Sequence, residues 1–146
     1  MSEAQAAETL TILVYSDDRS VRDDVRLALG RRVAADLPEI EVLDAATQPA
    51  VIAMMDEGKV DLAILDGEAV PAGGMGLARQ VKDEIFECPP VVVLIARPQD
   101  AWLATWSRAE GAVGYPLDPI RLPEVVADVL RRARDTQPGD AVVVAS

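Results

Sequence analysis

The sequence predicts an α/β fold: a five-stranded parallel sheet, doubly wound, with helices on both faces. Three observations predict it. Short aliphatic runs alternate with amphipathic segments from Thr11 to Arg134. Half of the 146 residues are hydrophobic and only 3% are aromatic, so the layers are built from Ala, Val, Leu and Ile. The length favours one domain, and such a chain buries roughly two-thirds of its unfolded surface without needing disulfides.

Thr11 to Tyr15 is an apolar run ending in Ser16-Asp17-Asp18, the pattern of a strand buried on both faces. Val21, Val25, Leu27 and Leu29 lie among charges, which predicts a helix from Arg19 to Leu29. Ser16 or Asp17 is its expected N-cap and Gly30 its stop. A second strand is expected over Leu37 to Leu43, and a short helix over Gln48 to Glu57, ended by Gly58. Val60 to Leu65 is the clearest buried strand, and it runs into Asp66. Gly67 to Met75 reads as a loop with Pro71, Gly73 and Gly74, followed by Gly76. Leu77, Val81 and Ile85 predict a helix over Leu77 to Phe86.

Pro90 to Ile95 is a fourth strand, Asp100 to Arg108 a short helix and Gly111 to Tyr115 a fifth strand. Pro119 to Arg134 is the last helix, with Arg131, Arg132 and Arg134 at the end that the helix dipole favours for cations. Residues 1–9 read as a disordered lead, 10–134 as the domain and 135–146 as a tail. Within the tail, Ala141 to Ala145 fits a loose end, an added edge strand or a docking peptide. There is no internal repeat.

Charge and composition exclude several functions. The net charge of −11, from 14 basic and 25 acidic side chains, repels phosphate backbones and anionic lipid. Direct nucleic-acid binding and membrane insertion are not expected. The absence of histidine rules out imidazole catalysis and histidine ligation of metals. Cys88, the single cysteine, fits a reducing cytoplasm and an ordinary buried thiol. The first residues lack the basic-then-apolar pattern of a signal peptide. No apolar run approaches the roughly 20 residues of a membrane span. A cytoplasmic protein is expected, peripheral to a membrane only through a partner.

In a parallel sheet the carboxyl ends of the strands converge on one crevice. Strand one delivers Ser16, Asp17 and Asp18, and strand three delivers Asp66. Carboxylates that close cannot all stay ionised without proton uptake or a cation. All-oxygen ligands suit Mg²⁺, which takes one or two carboxylates plus waters. A carboxylate is also a phosphoryl nucleophile. Any one of these acids alone reads equally as a strand end or a helix cap. Trp102 and Trp106 are four apart, so they share one helix face. They suit packing on the sheet or an interface hot spot. Gly73-Gly74-Met75-Gly76 lacks the Lys-Ser/Thr of a P-loop and reads as a flexible loop and cap.

Four segments together resemble CheY-like response-regulator receiver domains. Ile12-Leu13-Val14-Tyr15-Ser16-Asp17-Asp18 with Arg22 resembles their first strand and acidic pocket, and Val60 to Asp66 their phosphoacceptor strand. Pro90 to Ala96 resembles the fourth strand, and Gly111 to Pro119 the fifth with its loop. The resemblance covers about residues 10 to 133 and implies a flavodoxin-like sheet of order 2-1-3-4-5. It also implies Asp66 as phosphoacceptor, with Asp17, Asp66 and the Glu68 backbone carbonyl as Mg²⁺ ligands and Asp18 as a further acid. Tyr115 is the implied switch aromatic, and the surface with Trp102, Trp106 and Tyr115 is the implied partner face.

This sequence departs from the family at four places. The first pocket acid is Ser16. The switch hydroxyl is replaced by Ile95, and the lysine by Asp118, a reversed charge. The loop proline, Pro71, falls one residue late. The departures imply a pseudo-receiver, not an enzyme, that works through protein contacts. The alternative is a conventional phosphorelay receiver phosphorylated on Asp66 by a histidine kinase. Leu65 to Glu68, Pro71, Gly73 to Gly76 and Trp102 with Trp106 to Glu110 resemble a narrower group of actinobacterial receiver-like proteins linked to respiratory complex I. That resemblance implies a partner on the cytoplasmic arm of the NADH:quinone oxidoreductase.

Overall fold

A computed structural model describes residues 8–70, 72–135 and 143–145. Its elements are β1 (Leu10–Tyr15), α1 (Arg19–Leu29), β2 (Ile40–Ala45), α2 (Gln48–Asp56), β3 (Leu62–Asp66), α3 (Gly74–Glu84), β4 (Val91–Ile95), α4 (Ala101–Trp106), β5 (Gly111–Gly114), α5 (Arg121–Asp135) and β6 (Val143–Ala145). The strands form one sheet of order β2-β1-β3-β4-β5-β6, every pair parallel. The expected order 2-1-3-4-5 is present, and a sixth strand extends it.

The two-residue alternation of a strand divides the core in two. Leu13, Tyr15, Ala63, Leu65, Val91, Val93 and Ile95 face the helices α2, α3 and α4. Ile12, Val14, Leu62, Ile64, Val92 and Leu94 face α1 and α5. α5 answers with Leu122, Val125, Val126, Val129 and Leu130, all on one stripe. Each such buried aliphatic side chain contributes roughly 1.5–3 kcal/mol of transfer free energy. With both faces covered, the strand ends are the place left for chemistry.

Several boundaries differ from the expected ones, each for a local reason. β2 starts at Ile40 rather than Leu37, because Leu37 N–H closes a turn onto Ala34 O at 3.1 Å and Pro38 has no N–H for a ladder. β3 starts at Leu62 and includes Asp66. α1 is capped by Asp18, whose Oδ1 accepts Ser20 N–H at 2.9 Å, and not by Ser16 or Asp17. The glycines expected to form a loop begin α3 at Gly74, and α3 ends at Glu84 rather than Phe86. A 3₁₀ turn over Pro98–Asp100 precedes α4, which stops at Trp106, and Arg108 beyond it has φ +64°.

The expected lead lies mostly outside the described residues, as does Pro71. Of the three readings of the tail, the loose end fails for residues 143–145. Their backbone pairs with β5 as an edge strand.

Candidate functional site

β1 and β3 end side by side, with Tyr15 opposite Leu65 in register. The next residues, Ser16 and Asp66, therefore meet at the carboxyl edge of the sheet. Both are buried; Asp66 is 3% exposed. A buried carboxylate needs partners, since an unpaired buried charge is costly. Three donors supply them. Ser16 Oγ donates to Asp66 Oδ2 at 2.7 Å, Tyr115 OH to Oδ1 at 2.8 Å, and Glu68 N–H to Oδ1 at 2.9 Å. No Lys or Arg among the described residues forms an ion pair with Asp66.

The surroundings fix this arrangement. Ser16 Oγ also accepts Asp18 N–H at 3.0 Å, and Arg22 donates to Ser16 O at 2.6 Å, pinning the end of β1. Tyr115 N–H donates to Ile95 O at 2.9 Å, which ties the tyrosine to the end of β4. Ile95 itself is core, with its side chain among α2–α4 residues. Two glycines let the β3–α3 connection close over Asp66. A Cβ on Gly67 would lie 2.5 Å from Leu94 O, and one on Gly74 would lie 2.6 Å from the Asp66 carbonyl. Only residues without Cβ permit such approach.

The remaining acids have partners of their own. Asp17 Oδ1 accepts Val70 N–H at 3.1 Å. Asp18 is engaged by Ser20 as the α1 cap. Asp118, expected to confront Asp66, is exposed and caps α5, accepting Ile120 N–H at 2.7 Å and Arg121 N–H at 3.3 Å. Orphan amides at a helix start compete well for a nearby carboxylate. Asp17, Asp18 and Asp66 are each held by separate hydrogen-bond donors in this arrangement. No group of three acidic, histidine or cysteine side chains among the described residues could hold a metal ion.

Two participants were not assigned from the sequence. Tyr15 OH donates to Ala72 O and closes the loop against β1, and Ser16 acts as a donor where an acid was missed. The last residue of a buried strand, two positions before Asp17, is the available signal for Tyr15.

Of the two tryptophans, Trp102 is 65% exposed. Trp106 is 44% exposed and carries the Arg79 guanidinium 5.0 Å from its ring centroid, so it is partly engaged within the molecule. Burial holds the Cys88 thiol above its usual range, which agrees with an inert sulfur.

Burial pushes the Tyr115 phenol far above its usual 10.0, helped by the bond to Asp66 and the negative charges of Asp66, Glu68 and Asp18. Tyr15 is raised as well, first by burial and then by Asp17 and Asp66. A phenol that holds its proton more tightly when folded leaves stability intact below its unfolded pKa. It lowers stability as pH climbs from there toward the folded value. Above about pH 10 the folded chain should therefore lose stability, and its phenolate absorbance at pH 10 should stay far below that of the denatured chain. Ultraviolet titration checks this, and Tyr115→Phe should remove a large part of the difference. Equal phenolate absorbance in both states would show that Tyr115 is free.

No protein-family model matches the chain. An uncharacterized response regulatory protein of Mycobacterium tuberculosis is 55% identical over 126 residues, covering 86% of this chain and 95% of that protein. The phosphate regulon transcriptional regulatory protein PhoB of Pseudomonas aeruginosa is 29% identical over 132 residues; they are 90% of this chain and 55% of that protein. A CheY-like receiver domain protein from Methanospirillum hungatei superposes with TM-score 0.69 at 19% identity, over 89% of this chain and 100% of its own. A receiver domain protein from Clostridium thermocellum gives 0.72 at 21% identity, over 88% and 99%. At those identities the structural likeness is one of fold.

Proposed function

The chain belongs to the response-regulator receiver family, and on that premise we propose that it is an atypical single-domain member, a pseudo-receiver that acts by binding a protein partner. Receivers are in general signalling domains rather than enzymes. The observation that carries the reading is the state of Asp66: buried, and hydrogen-bonded by Ser16, Tyr115 and Glu68. Three neutral donors do what a cation does elsewhere, so the carboxylate serves as a structural anchor for the loops around it. Ile95 and Asp118 support the same reading, since neither offers a donor to a phosphoryl group.

The partner we assign is the cytoplasmic arm of respiratory complex I, which makes the protein cytoplasmic and peripheral to the membrane. The support is the resemblance of Leu65 to Glu68, Pro71, Gly73 to Gly76 and Trp102 with Trp106 to Glu110 to complex I-linked receivers, and the exposed Trp102. No helix among the described residues is long and apolar enough to cross a membrane. A second reading, phosphorylation of Asp66 by a histidine kinase, is favoured by the position of Asp66 at the carboxyl end of β3.

Affinity purification of the full chain from native membranes separates the two. Trp102→Ala should cut recovery of the partner by about tenfold or more, the scale of an interface hot spot. Asp66→Asn should leave recovery unchanged. Loss of partner in Asp66→Asn would favour the phosphorelay reading. If complex I subunits never co-purify with the unaltered chain, the partner assignment fails.

A further inference from the structure

The two sides of the sheet end differently. β2 is the outer strand on one side, and it carries Glu41 and Asp44, the latter paired with Arg22 and Arg26. Charges on an edge strand discourage pairing with another chain. β5 has no such protection. Gly111-Ala112-Val113-Gly114 is uncharged, and so are Tyr115, Pro116 and Leu117 after it. The glycines at its ends add no side chain to shield the backbone. Its outer edge is paired along the backbone with β6: Gly111 with Val143, Ala112 with Val144 and Val113 with Ala145.

The cover is slight. Three register pairs hold β6, against six between β1 and β2. β6 also lies at the end of the sheet, after α5, so releasing it breaks no other ladder.

We propose that the outer edge of β5 is a strand-acceptor site. Its resident is this chain's own segment 143–145, and an extended, aliphatic, uncharged segment of a protein partner replaces it in parallel register. Addition of a strand to a sheet edge takes its affinity from main-chain hydrogen bonds, so the edge selects for extended and uncharged chain. The stretch Ala141 to Ala145, aliphatic throughout, displays the chemistry that the edge accepts. This inference is independent of Asp66 and of the identity of the partner.

A labelled peptide of residues 139–146, titrated against the full chain, tests it. The full-length double variant Val143→Pro/Val144→Pro removes the N–H groups of the resident strand while leaving β5 untouched. A resident strand reduces apparent affinity by the fraction of time the edge is free, so the variant should bind the peptide at least about tenfold more tightly than the unaltered chain. Hydrogen exchange gives the second readout. The β5 amides that face β6 should exchange faster in the variant and regain protection when peptide is added. Val143→Thr/Val144→Thr, which keeps the ladder donors, should behave as the unaltered chain. Equal peptide binding by both chains, or unchanged exchange at β5 in the proline variant, would overturn the proposal.

Discussion

Gly74→Ala is expected to destabilise the protein by about 3 kcal/mol, the upper range for overpacking a core. The added Cβ would lie 2.6 Å from the carbonyl carbon and oxygen of Asp66 and 2.7 Å from the carbonyl carbon of Leu65. All three are backbone atoms of β3, so no side chain can swing aside. Either α3 backs away from the sheet or the end of β3 moves, and Asp66 moves with it. Two residues on, Gly76 is exposed and has nothing within 4 Å of a built Cβ. Gly76→Ala should stabilise by about 0.5–1 kcal/mol, because alanine loses less backbone freedom in a helix. Urea denaturation of the two variants, read as midpoint shifts of opposite sign, checks both. A neutral Gly74→Ala would mean that the close approach of α3 to Asp66 is not required.

Ser16→Asp should cost about 3 kcal/mol at pH 7, since it turns the closest donor to Asp66 into a second carboxylate and pushes a pKa in the pair up by roughly two units. Ser16 Oγ is 2.7 Å from Asp66 Oδ2, so the new group has no room to avoid it. Two carboxylates at that range share a proton or need a cation. A carboxyl group with a raised folded pKa binds protons more tightly in the folded state. Stability is therefore retained below the unfolded carboxylate range, about pH 4, and lost as pH rises toward neutrality. The deficit of the variant should shrink as pH falls and shrink again when Mg²⁺ is added. The unaltered chain should show neither response to Mg²⁺. Thermal denaturation at pH 4.5 and pH 7, with and without the ion, reads all four conditions. A variant as stable as the original at pH 7 would contradict the hydrogen-bonded account of the pocket.

Much of the fold was legible because its signals are local. Val60 to Asp66 and Pro90 to Ile95 are aliphatic runs, and a run of that length buried on both faces has few other solutions. Asp66 followed from where its strand ends. The errors came where the deciding partner is distant in sequence or where two local roles compete. Asp118 could face the pocket or cap α5, and the amides of Ile120 and Arg121 are nearer. The glycine run before Met75 reads as loop from sequence, since the reason Gly74 is glycine is Asp66, eight residues earlier in the chain. The edge role of 143–145 depends on β5 being uncovered, which no local pattern reports. Ser16 was visible as a missing acid, but its hydrogen bond to Asp66 required the register of β1 on β3.

Asp66 is held by three neutral donors, and an anchor of that kind is not expected to take up a phosphoryl group. Incubation with acetyl phosphate and Mg²⁺, followed by intact mass measurement, tests it most directly. The account predicts an unchanged mass for the unaltered chain. A stable gain of one phosphoryl group, absent from Asp66→Asn, would contradict it.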